Sequence, residues 1–298
     1  DSEKRMNTSA LIRRRFGLVA TVIACALSAP VVASESVHLD KFPTEKMQSM
    51  PALQDGARTF VNYCLNCHSA SMMRYNRMKD IGLTDEQITD SLMFTGGRVG
   101  DLMTVALRPA DAKAWFGAAP PDLSVEARAR SSESGTGADW IYTYLRSYYR
   151  DGSRETGWNN SVFPNVGMPN ILWQWQGMRG ATEERIAPVI DEETGKQTGW
   201  TKTVINYDIH GNKTEKVEKI EGDDLHEGTH FQLDKPEGGT MTQAEFDDKV
   251  GNLVAFMKFM SDPSASTRSR LGIWVLLFIG VFIGCAWWLN REFWKDVK

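Results

Sequence analysis

Residues 63–70 read "YCLNCHSA". Two of the chain's 4 cysteines stand three positions apart here, with His68 directly behind the second. Such a pair serves a structural zinc, a redox dithiol, a disulfide or a covalently attached haem, and the choice governs how the rest of the chain is read. Zinc needs four protein ligands, and His38, His210, His226 and His230 offer no second pair at short range. A thioredoxin-type dithiol opens a helix after a strand. Here "LQDGARTFVNYCLNCH" sets Gly56, Phe60 and Cys64 on one helical face, so the thiols come at a helix's end. Cys25 falls in an apolar leader and Cys285 in an apolar C-terminal run, which leaves too few thiols for a disulfide framework. Cys-x-x-Cys-His offers two sulfurs for the porphyrin's vinyl groups and an imidazole for its iron. One such motif means one haem c, held by Cys64 and Cys67, with His68 as an axial ligand.

The iron then needs a sixth ligand or an open site. Most of the 13 methionines fall in helical patterns or in the leader, where packing is their ordinary role. Met168 differs: "VFPNVGMPN" places it between Pro164 and Pro169, beside Gly167, in a stretch that cannot be helical. A stiff loop around one thioether suits an axial ligand. The alternatives are a distal histidine among His210, His226 and His230, or no ligand at all. Met/His ligation raises the iron's potential and leaves no place for substrate, which is the chemistry of electron transfer.

The chain's ends bear on where the cofactor would be attached. Arg13, Arg14 and Arg15 precede "FGLVATVIACALSAP" and the small-residue pattern "VVA", which reads as a secretory signal over 1–33 with residues 1–5 as an extension ahead of Met6. Near the other end "LGIWVLLFIGVFIGCAWWL" (271–289) is 19 residues without a charge, about 28 Å as a helix, enough to span a bilayer's hydrocarbon core. A translocated N-terminus and one stop-transfer helix put 34–262 outside the cytoplasm, followed by a flexible linker at 263–270, the span, and a cytoplasmic tail at 290–298. Residues 34–267 hold 24 Lys and Arg against 34 Asp and Glu, a net charge of −10. That field attracts basic partners and repels nucleic acid.

Between motif and anchor, Thr242 and Glu245 have capping-box spacing ahead of Phe246, Val250, Leu253, Val254 and Met257, a helix that could pack on the Gly56/Phe60 face. "ADWIYTYLRSYYRD" (138–151) has the aromatic periodicity of another helix, fit for a core or a haem wall. "GAAPPDLSVEARAR" is a loop carrying Arg128 and Arg130, ordinary surface residues on this evidence alone, although an arginine can pair with a propionate. From 181 to 240 the chain turns polar, and "TKTVINYDIHGNKTEKVEKI" reads as an exposed β-hairpin around His210-Gly211-Asn212.

"CLNCHS", "PPDLSVEARAR", "DWIYTYLRSYYRD", "GWNNSVFPNVGMPN" and the C-terminal anchor, in that order, resemble the cytochrome c1 family, the haem subunits of ubiquinol–cytochrome c reductase (bc1) complexes. The resemblance covers 38–298 and is nearer the bacterial type in its polar insertion. It implies a mainly α, class I cytochrome c-like haem domain with loop and β-hairpin insertions, plus one C-terminal transmembrane helix. It further implies thioethers at Cys64 and Cys67, iron ligation by His68 and Met168, Pro121 packing near His68, Arg130 facing a propionate, and Tyr75 near the haem. The implied setting is the bacterial inner membrane with the haem domain in the periplasm. The implied partners are cytochrome b, the Rieske iron–sulfur protein, a soluble or membrane-bound cytochrome c, and a second copy of the complex. The alternatives are a free-standing, membrane-anchored monohaem carrier and a haem enzyme or gas sensor with a vacant site.

Overall fold

The protein is described by a computed structural model over residues 38–94, 97–191, 194–222 and 225–296. The signal expected at 1–33 lies outside the described residues. Helices α1 (Met50–Thr59), α2 (Asp85–Leu92), α3 (Pro109–Phe116), α4 (Glu126–Ala129), α5 (Gly137–Arg146), α6 (Trp173–Gln176), α7 (Gln243–Ser261) and α8 (Ala265–Phe293) are interspersed with eight strands among the described residues. These are β1 (Ala70–Arg74), β2 (Leu102–Met103), β3 (Tyr148–Arg150), β4 (Trp158–Asn160), β5 (Ala181–Ile190), β6 (Gln197–Tyr207), β7 (Lys213–Ile220) and β8 (Gly228–Leu233).

The core forms where α1 meets α7. Ser49 caps α1 by accepting from Ala52 N, and Pro51 sits in the first turn, where its missing N–H costs nothing. The crossing point is Gly56: a Cβ there would lie 2.0 Å from the Asn252 backbone oxygen on α7. One turn on, the buried Phe60 packs against Phe256 with ring centroids 5.5 Å apart. Full burial of a phenyl ring contributes about 2 kcal/mol. The expected capping box at Thr242/Glu245 is present and starts α7.

Helix α5 lies against α7 and opens with a second capping box, Thr136/Asp139. Asp139 also accepts from Phe42 N at 2.8 Å, which draws the N-terminal segment over the core. At the helix's other end Arg146 holds Asp247 through Nε and Nη2 (2.6 and 3.0 Å) and Asp40 through Nη1 (2.7 Å).

Three expectations are corrected. The helix expected over 138–151 stops at Arg146, and Tyr148 and Tyr149 belong to β3, paired with Asn160 and Asn159 of β4. The cause is Arg179, buried 33 residues downstream, whose guanidinium takes the carbonyls of Arg146 and Tyr148 that a longer helix would have used. The linker expected at 263–270 is helical from Ala265, with Arg268 folded back on Asp262 (2.6 and 2.9 Å).

The third correction concerns the fold class. The domain ahead of α8 is mixed α and β, not mainly α, because the expected hairpin is half of a four-stranded antiparallel sheet ordered β7-β6-β5-β8. Nothing in "ATEERIAPVI" marks strand β5, which carries three consecutive charges and a proline. Pro188 fits because β8 pairs with β5 only as far as Ile186, so the missing N–H falls on an open edge.

Helix α8 contains the one segment among the described residues that is long and apolar enough to cross a membrane, Thr267–Phe293, 27 residues, with mean hydropathy 2.2 over its most apolar 18.

Candidate functional site

After α1 the chain widens into a π turn at Phe60–Cys64, where Leu65 N donates to Phe60 O across five residues at 3.0 Å. Cys67 N and His68 N then both donate to Cys64 O (3.1 and 2.9 Å), which fixes the motif as one compact bend. Cys64 faces inward and is buried, Cys67 is exposed, and the two are unbridged. Burial, reinforced by the neighbouring Cys67, pushes the Cys64 thiol up to about 12. No cluster of three His, Cys, Asp or Glu side chains that could hold a metal occurs among the described residues.

His68 Nδ1 lies 2.7 Å from the Pro121 carbonyl oxygen. The ring therefore donates its Nδ1–H to that carbonyl and presents the Nε2 lone pair as a ligand, the arrangement that orients metal-bound histidines. Burial also lowers the imidazole's pKa and favours its neutral form, against the opposing pull of the Pro121 bond and of Glu126 and Asp122. Pro121 is in place because its loop is laced to the residues after His68. Leu123 N donates to Ser69 O (2.8 Å), Ser71 N to Asp122 Oδ2 (2.8 Å), and Met72 N to Ser124 Oγ (3.0 Å). Asp122 and Ser124 were not singled out in the sequence, though the Pro-Asp turn signal marks the spot.

Met168 is half-buried against the same apolar cluster that contains Cys64 and Tyr75. The Tyr144 hydroxyl lies 3.5 Å from its sulfur and 2.6 Å from the Tyr148 hydroxyl. Trp140 stacks on Tyr144 at 4.9 Å and 11°, and the Arg130 guanidinium lies over Trp140 at 4.6 Å. Arg130 Nε is engaged by Glu126 at 2.5 Å, so this side chain is already partnered. Tyr75 is buried at the start of a 3-10 turn (Tyr75–Ile81), and burial raises its phenol pKa. Cys64, Tyr75 and Met168 thus share one cluster, Pro121 reaches it through His68, and Arg130 through Trp140 and Tyr144. Tyr144, read from sequence only as a core aromatic, is the hydroxyl that reaches Met168. Two unbridged thiols, an imidazole with its Nδ1 committed, and a thioether in an apolar cluster are a donor set that fits a haem c.

A sequence model described as the Cytochrome C1 family matches residues 42–178. The cytochrome c1 of Allochromatium vinosum is 35% identical over 281 residues, 94% of this chain and 98% of its own length. The chain belongs to the cytochrome c1 family. The cytochrome c1 of Rhodospirillum rubrum is 26% identical over 83% of this chain and 82% of its own. A Nitrosomonas europaea protein named ammonia monooxygenase gamma subunit is 38% identical over 94% of this chain and 99% of its own. Membership makes the chain an electron-transfer haem subunit of the bc1 complex, a membrane-associated assembly, and implies a haem c cofactor and partners such as cytochrome b and the Rieske protein.

Proposed function

We propose that this chain carries one haem c, bound covalently through Cys64 and Cys67, with His68 and Met168 as axial ligands on a class I cytochrome c-like core. In this reading the domain from 34 to 262 lies in the periplasm of a bacterial inner membrane, released from a signal at 1–33 and anchored by the span at 271–289. The observation that carries the reading is the Nδ1 bond of His68 to Pro121, because it leaves one nitrogen for the iron immediately behind the two thiols. When bound, the haem supplies a one-electron carrier, and no bond is made or broken in this chain.

The chain's own residues do the rest. His68 is held in one tautomer by Pro121, and Tyr144 donates to the sulfur of Met168. Tyr75, Leu123 and Val166 are buried in the apolar cluster against which Met168 packs. Arg130, whose Nε is taken by Glu126 and whose guanidinium lies over Trp140, would have only its terminal nitrogens to offer a propionate. Electrons would arrive from the Rieske protein beside cytochrome b and leave to a c-type cytochrome, soluble or membrane-bound, within a dimeric complex. The net charge of −10 over 34–267 suits a basic acceptor, with a steering effect that fades over a Debye length of about 8 to 10 Å.

The test is expression of the full chain in a host competent for cytochrome maturation. Pigment that survives acidified acetone in the wild type and is lost from Cys64→Ala/Cys67→Ala supports the covalent reading, and pigment that washes out of the wild type removes it. Detergent purification should bring cytochrome b and an iron–sulfur protein along. An intact preparation without them favours the free-standing carrier.

A further inference from the structure

Among the buried polar residues to which the proposed function gives no role are Asp151, Asn159 and Asn160. They lie on β3–β4 and the connection between them, immediately ahead of the irregular loop that bears Met168. Backbone amides in such a loop need partners, and two adjacent asparagines supply them. Asn160 Oδ1 accepts from Val162 N (2.9 Å) and Phe163 N (3.1 Å), while its Nδ2 donates to the Tyr144 carbonyl on α5 (2.8 Å). Asn159 Oδ1 accepts from Asn165 N at 2.8 Å. Asn165 has φ 63°, a left-handed conformation that asparagine tolerates and most side chains do not. The Arg154 guanidinium closes on Asn165 from the other side, reaching Oδ1 at 3.2 Å and the carbonyl at 3.0 Å.

This clamp is itself backed. Asn159 Nδ2 donates to Asp151 Oδ2 at 2.9 Å, and the next residue, Gly152, donates its N–H to Gly211 O at 2.8 Å. Gly211 belongs to the β6–β7 turn, which Asp208 closes by accepting from His210 N and Asn212 N (2.8 and 2.9 Å). The two backbones touch: a Cβ at Gly211, whose φ is +87°, would lie 2.7 Å from Gly152 N. Tyr149, two residues before Asp151, packs against Tyr207 and Phe231 of the sheet.

We propose that the sheet arm braces the candidate axial ligand: through Gly211, Gly152 and Asp151 it backs the Asn159–Asn165 clamp that holds the Met168 loop in place. The inference rests on the reading of Met168 as an axial ligand. Asp151, Asn159 and Asn165 are then positioning residues, and the arm is part of the site's support.

The test uses the full-length, haem-loaded chain in membranes, with carbon monoxide binding to the reduced protein and the midpoint potential as readouts. Asn159→Ala removes the side chain's three hydrogen bonds, to Asp151, Asn160 N and Asn165 N, and should raise the carbon-monoxide-accessible fraction about tenfold or more and lower the potential. Asp208→Ala, which loosens an exposed turn and leaves the core untouched, should move both readouts the same way by about threefold in the first. Val250→Ala, a core cavity that lowers the melting temperature, should move neither. Met168→Leu sets the scale. If it opens the site to carbon monoxide while Asn159→Ala and Asp208→Ala stay at wild-type values, the bracing inference is overturned. If Met168→Leu itself leaves carbon monoxide binding unchanged, the ligation reading is overturned instead. A Val250→Ala effect as large as that of Asn159→Ala would reduce the clamp to general stability and also overturn the inference.

Discussion

The helical core and the sheet arm are held together by different physics. Where α1, α5 and α7 meet, Phe60, Ile141, Phe246, Leu253 and Phe256 are buried and stability comes from apolar area and close approach. In the arm, β7 exposes nearly every side chain, including Val217 at 59%, and its pairing to β6 is almost all that holds it. Only the arm's root touches a core of its own: Tyr149, Ala181, Ile205 and Tyr207, with Phe231 and Leu233 packed alongside. A substitution in the core therefore acts on the whole domain, one at the root acts on the arm and, through Gly211 and Gly152, on the clamp it backs, and one at the far strand acts on nothing else.

The largest way to break this contrast is at the α1–α7 crossing. Gly56→Val forces side-chain atoms into the Asn252 backbone and should cost about 4 kcal/mol or more, read as a collapse of the thermal midpoint. Next comes the root of the arm. Tyr149→Ala empties the space against Tyr207 and Phe231 at a cost of about 3 kcal/mol. Because the loss is local, limited proteolysis should cut between β5 and β6 while haem absorbance is retained. Loss of the haem spectrum together with the arm would show that the two regions unfold as one.

Acid probes the core's polar edge with a smaller effect. Burial alone would raise the Asp139 carboxyl, yet hydrogen bonds from Phe42 N, from Thr136 N and Oγ1, and from Lys41 overcome it and hold the pKa below its ordinary value. Asp55 is held low in the same way by Lys249, Asn252 and Arg58. A carboxylate with a depressed folded pKa contributes its full stability above the unfolded value, about 4, and loses it as pH falls through the folded value. The melting temperature should drop from about pH 5 to about pH 3, and less steeply in Asp139→Asn. Smallest of all, Val217→Thr on the exposed strand should change stability by less than about 0.5 kcal/mol. A larger loss would mean that another surface covers β7.

Legibility followed the same division. Gly56, the Thr242/Glu245 capping box and the Cys64–His68 bend were readable because each is a local rule whose partners lie within a few residues or on a periodic face. The Met168 loop was readable as rigid from Pro164 and Pro169, but not as clamped, since Asn159 and Arg154 look like ordinary polar residues until the chain folds. The end of α5 is not legible in the sequence because aromatic periodicity continues past Arg146, while Arg179 ends the helix from 33 residues away. Strand β5 was missed because charge and proline argue against strands in general, and only its neighbours reveal which edge is open.

By itself the sequence determined the chemistry: two thiols and an imidazole at fixed spacing, a thioether in a proline-bounded loop, and an apolar run long enough for a bilayer. These are properties of bonded neighbours and of composition, which no tertiary arrangement can change. Only the folded structure decided how they are oriented: by the carbonyl of Pro121, expected near His68 from the resemblance, accepting from Nδ1, by Tyr144 on Met168, and by the arm behind Asn159. Those contacts join residues far apart in the chain, and their energy exists only once a buried polar group has its partner and water has been displaced.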